Sequence, residues 1–174
     1  MRQVNDLDLK ENTRVCLIEN QDELMQLWPL FEEGWKVISD PKISYTELTV
    51  DGCFKWLCAI VGWEPERGHG AVGVFFVDDE PVGFNILSNA TEAYSEKSTL
   101  LVAANYCKHT AHTGTPRRIV GMKEFDKLSV WYARAFEYDQ LMAVTARLTG
   151  ASKRLYVKYM GYEPRATVFY KAVN

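Results

Sequence analysis

Lys108, Arg117, Arg118 and Lys123 place four cations in one short stretch that also holds Gly114 and Gly121. The stretch leads into an amphipathic segment. A helix start offers free N–H groups and the positive end of the helix dipole, so such a set suits a phosphate group. Four cations beside a helix also suit a plain solvated face, and the sequence leaves the two readings open. His109 and His112, three residues apart, can share a helical face, but no third ligand is apparent and the segment reads as loop, so no metal site is expected. Glu32, Glu33 and Glu47 are carboxylates on the early helical segments that face either a substrate cleft or solvent. Cys16, Cys53, Cys58 and Cys107 are scattered through apolar stretches and read as small buried thiols. No Gly-x-Ser-x-Gly phrase, Walker loop or Cys–His nucleophile pattern occurs.

The chain of 174 residues is 47% hydrophobic and 13% aromatic, enough to bury one sizeable core. Its 20 basic and 23 acidic residues give a net charge of −3, so nucleic acid is not the expected partner. No apolar run approaches the ~20 residues of a membrane span, and the polar first residues lack a leader's apolar core. A reduced, cytoplasmic type of protein is expected, with a polar N-terminal arm at 1–13 and one domain at 14–174.

The elements that would position these residues follow from periodicity. Arg14 to Glu19 is a first strand. Asn20 caps a helix with Glu23 three residues on, and Leu24, Leu27, Trp28, Phe31 and Trp35 form one helical face down to the stop at Ser39-Asp40-Pro41. A second helix runs from Tyr45 or Thr49 to Trp63, with Phe54, Leu57, Cys58 and Val61 inward. Residues 71–77 and 82–87 form a hairpin about Asp78-Asp79-Glu80-Pro81. Ser98 to Tyr106 is another strand. The longest helix is expected from Pro116, capped by Thr115, to about Glu137, which puts Gly121 inside it. A strand at 140–145, a short helix from Ser152 to Met160 and a last strand from Ala166 to Ala172 complete the order β-α-α-β-β-β-α-β-α-β, a mixed α/β fold.

That order resembles the GNAT (Gcn5-related) N-acetyltransferases over roughly residues 14 to 173. Two phrases carry the resemblance: Val77-Asp78-Asp79-Glu80-Pro81-Val82-Gly83-Phe84, similar to the family's hairpin, and Arg154 to Glu163 with Gly161-Tyr162, similar to its C-terminal helix. The resemblance implies a mixed central sheet with helices on both faces and transfer of an acetyl group from acetyl-CoA to an amine, on a small molecule or a protein. It implies that Leu101, Val102 and Ala103 meet pantetheine, and that Gly114, Arg117, Arg118, Gly121 and Lys123 lie at the diphosphate. The family's turn reads Gln/Arg-x-x-Gly-x-Gly/Ala; Arg118 and Gly121 keep two positions, and Lys123 departs at the third. A family tyrosine four residues before the C-terminal glycine serves as general acid; Val157 stands there, with Tyr156 and Tyr159 as the nearby candidates. The C-terminal phrase also resembles degenerate members that are internal virion proteins of short-tailed phages. This implies an alternative: an inactive structural subunit of a virion, with protein partners or a homo-oligomer in place of a substrate.

Overall fold

The computed structural model describes residues 1–9, 12–39, 49–62, 70–90, 96–110, 117–118, 122–143 and 155–163. Within them, strands Arg2–Gln3 (β1), Thr13–Leu17 (β2), Gly70–Val77 (β3), Glu80–Asn89 (β4), Thr99–Cys107 (β5) and Gln140–Ala143 (β8) form one sheet in the order β1-β2-β3-β4-β5-β8. Two short strands, His109–Thr110 (β6) and Arg117–Arg118 (β7), form a separate antiparallel pair. Neighbours in the main sheet are antiparallel except β5 and β8, which run parallel from Thr99↔Gln140 to Val102↔Ala143. The expected mixed α/β architecture is the one observed.

Alternation along the strands sends side chains to two separate cores. Cys16, Ile18, Val72, Val74, Phe76, Phe84 and Ile86 meet helices Gln21–Gln26 (α1), Trp28–Ile38 (α2) and Val50–Gly62 (α3). Val15, Leu17, Ala71, Phe75, Leu87, Leu100 and Val102 meet Met122–Ala135 (α4) through Phe125, Leu128 and Tyr132. Helices therefore cover both faces of the sheet.

Local chemistry explains the joints. The β3–β4 turn is two residues long, and Asp78 and Asp79 both sit at positive φ, 49° and 65°. Left-handed geometry at both central positions matches the twist of the flanking strands, and aspartate tolerates it. The Asn20 side chain accepts from the Glu23 N–H at 3.0 Å, while the Glu23 carboxylate reaches back to the Glu19 N–H at 2.9 Å. The first helical stretch, expected to be continuous, divides at Leu27 because Pro29 has no N–H to donate and is accommodated only in the first turn of a new helix. Leu24, Phe31 and Trp35 are nevertheless all buried on one side. α2 lies so close to β4 and β5 that a Cβ on Gly34 would stand 2.5 Å from the Phe84 ring and 2.6 Å from the Tyr106 ring.

The expected start of the long helix is corrected. Arg117–Arg118 is strand, paired as His109↔Arg118 and Thr110↔Arg117, and α4 begins at Met122. Proline's fixed φ, the basis for starting a helix at Pro116, serves the entry to a strand equally well, and pairing with β6 decides between them. Pro116, Thr115 and the expected last strand lie outside the described residues, as do Glu47 and His112.

Candidate functional site

The site is built on β5. Its register against β4 slips between Ile86↔Ala104 and Leu87↔Val102, which leaves Ala103 as an extra residue, a β-bulge. The bulge reverses which side chains face which core. Leu100 and Val102 point to α4 before it, and Cys107 does so after it, whereas Ala103, Ala104 and Tyr106 meet the other core. Asn105 therefore stands directly opposite Asn85, on the α4 side of the sheet.

Two asparagines beneath a helix need partners. Asn85 is 0% exposed; its amide nitrogen donates to the Phe125 carbonyl at 3.1 Å and to Ser129 Oγ at 3.0 Å, while its Oδ1 has no hydrogen-bond partner. Asn105 lines one crevice with Tyr156, and its side chain opposes the burial that raises the pKa of the Tyr156 hydroxyl. Tyr156 belongs to the C-terminal segment, where Leu155–Tyr159 forms a π-helical turn that ends at Gly161 with φ +73°. The chain then folds back, the Tyr162 N–H donating to the Tyr156 carbonyl at 3.0 Å. The two rings meet edge to face, 5.5 Å apart at 86°, and the Tyr162 hydroxyl donates to Asp126 Oδ1 at 3.3 Å.

These groups close a crevice between β5, α4 and the π-helical turn, lined by Val102, Asn105, Asp126, Ser129, Tyr156 and Tyr162 among others. Its free volume is about 10 Å³, roughly the space of one water. Burial raises the pKa of Tyr156; the Asn105 side chain opposes this and the Asp126 charge adds to it. Burial also raises Tyr162, reinforced by Asp126, and raises Asp126 itself against the Tyr162 hydrogen bond. Tyr156 is thus held as a neutral phenol at neutral pH, a proton donor rather than a base.

On the other side of β5, the Tyr106 hydroxyl donates to Glu33 Oε1 at 2.7 Å, and Lys108 Nζ lies 3.8 Å from Glu33 Oε2. Glu32 instead pairs with Lys36 at 2.8 Å, one turn along α2. Cys16 and Cys53 are buried, Cys58 and Cys107 partly so, and all four are free thiols; burial pushes Cys53 up to about 12.

Of the residues expected from sequence, Leu101, Val102 and Ala103 fall on β5 at the bulge, and Tyr156 meets Val102 across the crevice. Tyr159 lies in the same π-helical turn. Arg117 and Arg118 form β7, and Lys123 is exposed at the second position of α4. Gly114 and Gly121 lie outside the described residues. Arg118 lies in β7 and Lys123 in α4, so the two ends of the Arg118-x-x-Gly121-x-Lys123 phrase fall on different elements. Asn85 and Asp126 were not singled out from sequence, and Asn105 and Tyr162 entered only as members of a strand and of the Gly161-Tyr162 phrase; an asparagine in each of two apolar strands was the available signal.

No protein-family model matches the sequence, and no curated protein matches it. Solved structures do. A "possible acetyltransferase" from Clostridium difficile 630 superposes with a TM-score of 0.65 at 15% identity, over 94% of this chain and 99% of the other. The aminoglycoside N-acetyltransferase AAC(6')-Iy, solved with CoA, gives 0.64 at 13% identity over 95% and 98%. A ribosomal-protein-alanine N-acetyltransferase from Brucella melitensis biovar Abortus 2308 gives 0.59 at 13% over 92% and 99%. At these identities what is shared is the fold, that of the GNAT acetyltransferases.

Proposed function

We propose that this protein transfers an acetyl group from acetyl-CoA to an amine. The observation that carries the reading is Tyr156, seated in one crevice with Asn105, two residues past the bulge of β5. In the resembling family a tyrosine four residues before the C-terminal glycine donates the proton; here Tyr156 stands five before Gly161. A π-helical turn closes its hydrogen bonds one residue later than an α-helix does. A tyrosine five residues back in such a turn therefore takes the place of one four back in an α-helix.

Along the bulged strand, Ala103 would offer main-chain partners to pantetheine past the last β5–β8 pair, Val102↔Ala143, whereas Leu101 and Val102 are paired with β4 on one side and β8 on the other. Arg117, Arg118 and Lys123, with Gly114, Gly121 and the first N–H groups of α4, would receive the diphosphate. The neutral amine attacks the thioester carbonyl carbon, so that a carbon–nitrogen bond forms and the carbon–sulfur bond breaks. Tyr156 gives its phenolic proton to the departing thiolate sulfur. Glu33, held by Tyr106 and Lys108 beside the same strand, is the carboxylate we assign to remove the proton that the attacking nitrogen sheds.

One observation favours the inactive structural subunit instead: the crevice at Tyr156 has room for about 10 Å³, far less than a thioester. Isothermal titration with acetyl-CoA, followed by thiol release across a panel of amines, separates the two. Binding and release of free CoA support the transferase. No heat at millimolar acetyl-CoA, together with a stable higher oligomer by light scattering, sinks it.

A further inference from the structure

The residues that hold Tyr156 in place come from three elements. Asn105 of β5 lines its crevice, the Tyr162 ring meets its ring at 5.5 Å, and Tyr162 is anchored through its hydroxyl to Asp126 of α4 at 3.3 Å. Tyr162 is tied a second time through its N–H to the Tyr156 carbonyl at 3.0 Å. A half-buried carboxylate costs stability unless it is partnered, and among the described residues the Tyr162 hydroxyl is the partner that the crevice gives Asp126. A phenylalanine at 162 would fill the same space; the hydroxyl adds a fixed direction.

Resting on the acyl-transfer reading, we infer that Asp126 and Tyr162 are positioning residues: Asp126 holds the Tyr162 hydroxyl, the Tyr162 ring braces the Tyr156 ring, and the Tyr156 hydroxyl is thereby aimed at β5 just past the bulge. An electrostatic consequence follows. The titratable groups facing Tyr156 among the described residues are Asp126 from α4 and Tyr162 from its own segment; Asn105 of β5 and Ser129 of α4 are uncharged. The Asp126 carboxylate opposes formation of a phenolate at Tyr156, so removing that charge lowers the pH at which Tyr156 ionises.

The test uses the full chain with tyrosine labelled at the ζ carbon by ¹³C, Tyr156 being assigned with Tyr156→Phe. In Asp126→Asn, which keeps an acceptor for Tyr162, the Tyr156 titration is expected to move to lower pH, and the basic limb of the rate profile to move with it. In Tyr162→Phe, which is nearly isosteric, the Tyr156 resonance is expected to shift at neutral pH. Its kcat should fall about tenfold with KM unchanged within about twofold, the signature of lost transition-state aim. A Tyr156 resonance and titration unmoved in both variants overturns the inference, as does a Tyr162→Phe enzyme with wild-type kcat. Should Tyr156→Phe itself keep full kcat, the transferase role of Tyr156 falls, while the ¹³C titration still decides whether Asp126 acts on it.

Discussion

On the face covered by α1, α2 and α3, the sheet meets rings and aliphatic chains. Phe31 stacks on Phe84 at 4.7 Å, Phe84 meets Tyr106 at 5.6 Å, and Trp28 meets Phe54 edge-on at 4.9 Å. On the face covered by α4, the same strands carry Asn85 and Asn105, and the elements above them bring Ser129, Asp126, Tyr156 and Tyr162. Dense apolar packing holds the sheet in one shape, and on the first face chemistry is assigned only at the rim, where Glu33 meets Tyr106 and Lys108. A buried polar cluster contributes less stability but fixes where protons can go. The bulge at Ala103 joins the two regimes, because one extra residue turns Asn105 to the α4 side and Tyr106 to the other.

The comparison breaks first on stability. Phe31→Ala, at a side chain that is 0% exposed, should cost about 3–5 kcal/mol by urea denaturation, since the site is ringed by rigid aromatics that cannot close the cavity. A loss under about 1 kcal/mol would mean that this face is loosely packed. Next comes chemistry: Tyr156→Phe should lower kcat about a hundredfold, or ~2.7 kcal/mol of barrier, while thermal unfolding stays near wild type. A variant that unfolds early but turns over normally would reverse the roles assigned to the two faces.

Two glycines sharpen the contrast further. Gly34→Ala places a methyl 2.5–2.6 Å from the Phe84 and Tyr106 rings. Helix propensity returns about 1 kcal/mol, so a net loss of ~1–2 kcal/mol is expected in denaturation. Gly73→Ala meets Leu128 Cδ2 at 2.4 Å, the end of a flexible side chain, with the next atom at 3.7 Å. It should stay within about 1 kcal/mol of wild type. Equal losses would show that the α4 face is as unyielding as the other. The smallest effect lies at the start of the parallel pair, where Asp139 accepts from the Ser98 N–H at 2.8 Å and the Ser98 hydroxyl at 2.9 Å. These bonds hold its pKa below the ordinary 3.8. A lowered carboxylate pKa stabilises the fold above the ordinary value, and that stability is lost as pH falls through the lowered one. Asp139→Asn should therefore melt earlier than wild type at neutral pH, with the gap closing as the pH falls through and below the ordinary carboxylate range.

The elements legible from sequence were those set by near neighbours. Apolar runs marked β3, β4 and β5, the Asp78-Asp79 pair marked their turn, and Asn20 with Glu23 marked the first helix. The break at Leu27 was also written in the chain, at Pro29, but the continuous apolar face of Leu24, Phe31 and Trp35 masked it. The start of α4 was not legible, because proline suits a helix entry and a strand entry alike and only the β6–β7 pairing separates them. At the candidate site, the glycine and arginine phrase and the C-terminal tyrosines could be found by resemblance. The bulge could not, since Val102-Ala103-Ala104 reads as unbroken strand and only the register against β4 reveals the extra residue.

Taken alone, the chain dictates its apolar periods, its turns and its caps, since these depend on residues a few positions apart. The fold completed what long-range contact alone can supply. Pairing across β4 and β5 turns Asn105 toward α4, the π-helical turn carries Tyr156 to it, and Asp126, thirty-six residues before Tyr162, becomes its partner. Hydrogen bonds between side chains so far apart have no local signature, because backbone dihedrals in between decide whether the groups ever meet.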